Sequence, residues 1–295
     1  MIEPSQPSEV AGQVAPAAEV MPAAGVAPAA LRVLPPPPRV PNLLHVALLL
    51  TFAVLSFLLV ELVFIAGSAT PLLITLHNDR EQLVAQVFAE ALTLMAAWFL
   101  FPLLWDRSFL KGISWNAAAA SPWLMLFGLL LGFVNQAVES LLPIPKNLPL
   151  DKLFHSSELV WFLAFLAVVV APVFEEILFR GFLLPAIALA VDWLRLPRTL
   201  DALDLWRRDD GFSTSAIVIA SLLTSVAFAL IHAPQLDFTW PSVMLLGAVS
   251  LVLCLVRLRT RSVAASALVH SCYNLSVFIT LYLVTAGFQH LERAS

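Results

Sequence analysis

Three charges interrupt a stretch that is otherwise apolar from about Leu159 to Ala190: Glu175, Glu176 and Arg180, within Val173-Phe174-Glu175-Glu176-Ile177-Leu178-Phe179-Arg180-Gly181. Ionised side chains in such surroundings are costly to keep and seldom idle. On a helix Glu176 and Arg180 stand at i and i+4 and pair along one face. Glu175 is turned away by about 100° and has no local partner. One Glu with one Arg is most simply a structural ion pair; a second, unpaired Glu shifts the reading toward proton transfer.

Two further pairs share the i, i+4 spacing: Phe228 with His232, and His270 with Asn274. A lone histidine on an apolar helix is more often a satisfied core residue than a base or ligand. Two histidines, an amide and an unpaired glutamate on three apolar runs carry more weight together. Glu with His can take a proton from water, while a second His and an Asn amide can donate to an oxyanion. That set is sufficient for amide hydrolysis. The same atoms suit a divalent metal such as zinc, with Glu175, Glu176, His232 and His270 as available ligands, and residue types alone leave that choice open. There is no His-Glu-x-x-His, and no Ser, Cys or Asp in the apolar runs forms a nucleophile arrangement by spacing. Glu61, Glu90 and Glu139, with Asn135, also lie in or at the edge of these runs. Glu61 and Glu90 read as structural, paired with helix dipoles or with polar groups on neighbouring helices.

The elements that must position these residues follow from composition. With 60% hydrophobic and 12% charged residues and a mean hydropathy of +0.89, the chain is too apolar for a soluble domain of its length. It predicts an all-α polytopic transmembrane helical bundle in a lipid bilayer. The net charge of -4, with no basic patch interleaved with aromatics, argues against nucleic acid as a partner. Cys254 and Cys272 lie in apolar runs without a Cys-x-x-Cys spacing and read as small core residues. Residues 1–42 hold ten of the 21 prolines, a composition that cannot bury a core, and predict a disordered tail without signal-peptide features. Residues 43–288 form the membrane domain, and 289–295 a short C-terminal tail.

Seven apolar runs of bilayer-spanning length follow one another: Leu43 to Ala66, Val84 to Trp105, Pro122 to Leu142, Leu159 to Ala190, Phe212 to His232, Trp240 to Val256 and Val263 to Ala286. The fourth is long, since its helix would reach about 48 Å across a hydrocarbon core of about 30 Å, and it is expected to break near Pro172. If it crosses once, eleven Lys and Arg fall on one side and four on the other, which places the N-terminus in the cytoplasm. Asp192 to Gly211 is then a cytoplasmic loop with a short amphipathic helix on the membrane surface. One mismatch accompanies this arrangement. Counted at about 1.5 Å per residue from the arginines, His270 falls about 16 Å below Glu175 and His232, unless the Arg257 to Arg261 connection dips into the protein or the helices tilt.

The ordered trio Glu-Glu-x-x-x-Arg (Glu175, Glu176, Arg180), Phe-x-x-x-His (Phe228, His232) and His-x-x-x-Asn (His270, Asn274) resembles the CPBP family of intramembrane proteases. That family includes CAAX prenyl endopeptidases and bacterial bacteriocin-processing or self-immunity proteins. The resemblance covers about Leu159 to Asn274. It implies an intramembrane endopeptidase in which Glu175 activates water with His232 as partner, and His270 and Asn274 stabilise the oxyanion. Glu176 joins this group through its supporting pair with Arg180, and Phe228 lines the site. It also implies a membrane-anchored or lipidated peptide substrate and a bacterial inner membrane location. The family leaves metal-dependent and metal-free hydrolysis open; we favour the metal-free form, because two carboxylates against one Arg already accommodate a protonated His. The competing readings are a non-catalytic immunity or partner-binding protein on the same scaffold, and a proton-coupled carrier, which the lack of an internal repeat disfavours.

Overall fold

The computed structural model describes residues 39–67, 79–143, 157–208 and 211–291. The expected tail through residue 38 lies outside the described residues, as do residues 292–295 of the short C-terminal tail. Every regular element among the described residues is helical: α1 (Leu43–Gly67), α2 (Asp79–Trp105), α3 (Phe109–Gly112), α4 (Pro122–Glu139), α5 (Ser157–Phe165), α6 (Ala171–Glu176), α7 (Leu184–Arg195), α8 (Leu200–Arg208), α9 (Thr214–His232), α10 (Trp240–Thr260) and α11 (Val263–Val284). Seven segments among the described residues are long and apolar enough to cross a membrane, the fourth of them running unbroken from Leu159 to Arg195. The all-α polytopic reading is borne out.

The break expected near Pro172 does not occur; the helix runs on through the proline with a change of winding. Between α5 and α6 the chain is π-helical over Leu166–Val170, and it is π-helical again over Ile177–Leu183 before α7. The Ala171 N–H bonds to the Leu166 carbonyl, five residues back. The next carbonyl in that register, Ala167, faces Pro172, which has no N–H to give. Asn274 on α11 supplies the missing donor, its Nδ2 lying 2.6 Å from the Ala167 oxygen. A side chain on another helix thus satisfies what the proline removed, and the span continues.

Helix α11 packs on α4, α10 and the fourth span, while α9 packs on α7 and α10. The α4 contact is close because Gly128 and Gly132 face α11: a Cβ on Gly128 would come within 2.5 Å of the Val269 carbonyl oxygen, and one on Gly132 within 1.9 Å of Ser276 Oγ. Two small residues four apart let helix backbones approach in this way. On the other side α2 lays Phe101 and Trp105 against Phe182 of the fourth span and Phe109 of α3, ring centroids 4.7 to 6.4 Å apart.

The depth mismatch for His270 is resolved by the turn between α10 and α11. The Val263 N–H bonds to the Ser114 carbonyl at 3.1 Å, and Ser262 Oγ donates to Asn116 O at 2.7 Å. Ser262 and Val263 are fully buried. The same loop puts Ile113 3.3 Å from where a Gly181 Cβ would stand. The turn therefore sits near the level of Gly181, about 20 Å of helix short of Arg195, and the connection does dip. Helix α8 is the amphipathic segment expected in the Asp192 to Gly211 loop, with Trp206 against Trp193, centroids 5.2 Å apart.

Candidate active site

Glu175 and Glu176 are neighbours in the chain, and the helix sends them to different surroundings. Glu176 is fully buried, and its Oε1 accepts from Arg180 Nη1 at 2.7 Å and from His270 Nδ1 at 3.1 Å. Its Oε2 accepts from Ser266 Oγ at 2.5 Å. Arg180, equally buried, is completed from α10: its Nη2 donates to Ser250 O at 2.9 Å and to Ser250 Oγ at 2.7 Å. A buried charge pair holds only when its remaining donors and acceptors are met in this manner. The predicted Glu176–Arg180 pair is present, and it anchors three helices at once.

Glu175 points elsewhere. His232 Nε2 lies 3.7 Å from its Oε1 and His270 Nε2 lies 3.8 Å from its Oε2, with 21% of the Glu175 side chain exposed. Hydrogen bonding on the far side of each ring fixes the state of its Nδ1. His232 Nδ1 is 2.8 Å from the Phe228 carbonyl, which only accepts, so Nδ1 carries the hydrogen. By the same reasoning His270 Nδ1 carries the hydrogen directed at Glu176. Separations of 3.7 and 3.8 Å exceed a direct hydrogen bond and suit a bridging water.

Phe228 is 1% exposed and spaces the two rings, its centroid 4.6 Å from that of His232 and 5.8 Å from that of His270. The Arg180 guanidinium lies 4.9 Å above the same ring. Asn274, one turn beyond His270, spends one amide hydrogen on Ala167 and keeps a second. The structure therefore gathers Glu175, Glu176, Arg180, Phe228, His232 and His270 directly, while the contact shown for Asn274 is with Ala167.

Among the described residues, no group of three or more His, Cys, Asp or Glu is arranged to hold a metal ion. Both Glu176 oxygens are already taken by donors, which removes one of the four ligands named from sequence.

Three contributors escaped the sequence reading. Ser250 and Ser266 complete the buried pair; Ser266 falls four residues before His270, in the stripe Ser262, Ser266, His270, Asn274, a spacing that could have flagged it. Glu90 of α2, read as structural, accepts from Gln86 Nε2 at 2.8 Å. It also lies close enough to Glu175 for their charges to interact. It falls in the stripe Leu83, Glu90, Leu94, Ala97, Phe101, whose apolar members pack against clusters that include residues of the fourth span.

The apolar spans bring two carboxylates and two imidazoles together among their helices, groups whose chemistry suits acid/base work. Residues 157–276 match the family model for type II CAAX prenyl endopeptidase Rce1-like proteins. The match supports, over that stretch, the resemblance to the CPBP family of intramembrane CAAX-type proteases. Comparison with curated proteins and comparison with solved structures find no match.

Proposed function

We propose that the protein is an intramembrane endopeptidase that hydrolyses a peptide bond in a membrane-anchored or lipidated substrate, with Glu175 as the general base. The convergence of His232 Nε2 and His270 Nε2 on the two oxygens of Glu175 carries this reading. A water between Glu175 and His232 gives one proton to the carboxylate and directs its other hydrogen at the His232 Nε2 lone pair. Its oxygen adds to the scissile carbonyl carbon. The resulting oxyanion receives hydrogen bonds from His270 Nε2–H and from the second amide hydrogen of Asn274. That role requires His270 to carry hydrogens on both nitrogens, and the carboxylates of Glu175 and Glu176 on either side offset the charge. When the C–N bond breaks, Glu175 passes its proton to the leaving nitrogen, yielding an acid and an amine.

The test is Glu175→Gln in the full chain, assayed on a library of membrane-tethered peptides, with metal content measured on the same preparation. Cleavage is expected to fall by about 100-fold or more while the folded protein stays in the membrane. Undiminished cleavage would remove Glu175 from the mechanism. A second reading draws on the completeness of the Glu176–Arg180–Ser250–Ser266 cluster and on Asn274 serving Ala167: a non-catalytic partner-binding or immunity protein in which the polar groups lock the helices. On that reading wild type yields no product from any library member, and His270→Ala changes stability alone.

A further inference from the structure

Two arginines reach into the body of the helical bundle, and they are treated differently. Arg180 is surrounded by acceptors from Glu176 and Ser250. Arg257, in the last turn of α10, has a buried Nε with no hydrogen-bond partner, and among the described residues no carboxylate pairs with it. The residue as a whole is half-buried, and an N–H withdrawn from water without an acceptor is unfavourable. Arg257 lines a small hollow of roughly 30 Å³ between α7 and α9, together with Leu184, Ala188, Phe212 and Ala220. That volume admits a single oxygen atom of water size.

One wall of the hollow, Phe212, joins a group of aromatic and basic residues at the span ends. Phe212 lies under the Arg39 guanidinium at 5.2 Å, and Arg39 also stacks on Trp206 at 5.0 Å. Trp206 packs on Trp193, over which Arg198 lies at 4.4 Å. Tryptophans and arginines at span ends mark the depth of lipid headgroups, where the available anion is a phosphodiester. Basic pockets between helix ends at this depth take such groups. We propose that Arg257 binds the phosphate of an anionic membrane lipid, one phosphate oxygen entering the hollow beside Phe212. This site is separate from Glu175 and does not depend on the protease reading. The simpler alternative is an arginine whose stem covers apolar surface while its head meets bulk water.

The two are separated by thermal unfolding of the full chain in vesicles of phosphatidylglycerol and of phosphatidylcholine, with inorganic phosphate added to detergent-solubilised protein as a third arm. Wild type and Arg259→Gln, an exposed arginine two residues on, are expected to unfold at a higher temperature in phosphatidylglycerol. Arg257→Gln is expected to lose that gain. Equal gain in Arg257→Gln, or equal loss in Arg259→Gln, would overturn the proposal in favour of general surface charge. The full gain from inorganic phosphate alone would overturn the lipid as its source. Should Arg257→Gln fail to fold, Arg257→Lys keeps the charge without the planar fork. Native mass spectrometry should then show loss of retained phosphatidylglycerol relative to wild type, and unchanged retention would count against the proposal.

Discussion

At the scale of single residues, two adjacent glutamates with opposite surroundings predict opposite phenotypes. Glu176 accepts from Arg180, His270 and Ser266 and has no exposure. Glu176→Gln leaves Arg180 buried without its counter-charge, and a loss of about 3–5 kcal/mol in unfolding free energy is expected. Glu175→Gln, at a part-exposed position, should leave the unfolding curve close to wild type while abolishing cleavage. The pair of measurements distinguishes a scaffold acid from a reacting one. Ser266→Ala removes a single donor to Glu176 and should cost about 1–3 kcal/mol. If Ser266 is dispensable, chemical unfolding of the variant will overlay wild type.

At the scale of elements, the fourth span and α11 are joined by a specific exchange: Pro172 withdraws a donor and Asn274 returns one to Ala167. Asn274→Ala should cost about 1–3 kcal/mol by orphaning that carbonyl. Pro172→Ala restores an N–H and should shrink the cost of Asn274→Ala in the double variant. Strict additivity of the two substitutions would show that they are not coupled. The contact of α4 with α11 rests on Gly128 and Gly132, where added atoms would collide with Val269 O, Ser276 Oγ and the Tyr273 carbonyl. Gly132→Val is expected to destabilise by about 1–3 kcal/mol or more, read as a lower unfolding temperature in detergent. Because α11 carries His270, the same variant should also lower cleavage.

At the scale of the molecule, the seven candidate spans among the described residues, each crossing once, would put the two ends of the bundle on opposite sides, and the lysine and arginine asymmetry predicts which side is which. Ser140, after α4, and Thr199, after the fourth span, are both exposed and separated by one crossing. With Cys254 and Cys272, both free and buried, replaced by serine, Ser140→Cys should react with an impermeant thiol reagent on intact cells. Thr199→Cys should react only after permeabilisation. The reverse pattern would invert the orientation.

The seven spans were legible in the chain because a bilayer demands runs of apolar residues with their backbone satisfied internally, a demand written in composition. The Glu176–Arg180 pair was legible for a similar reason: four residues along a helix suffice to bring two side chains together. The partners of that pair were not. Ser250 and Ser266 reach it from 70 and 90 residues away, and hydroxyls in an apolar helix carry no mark of what they will face. Helical winding at Pro172, the depth of the turn near Ser262 and the approach of Glu90 to Glu175 depended in the same way on which helices became neighbours. Local spacing can name the atoms of a site, but only packing brings atoms from separate helices within reach of one another, because that energy is shared between segments distant in the chain.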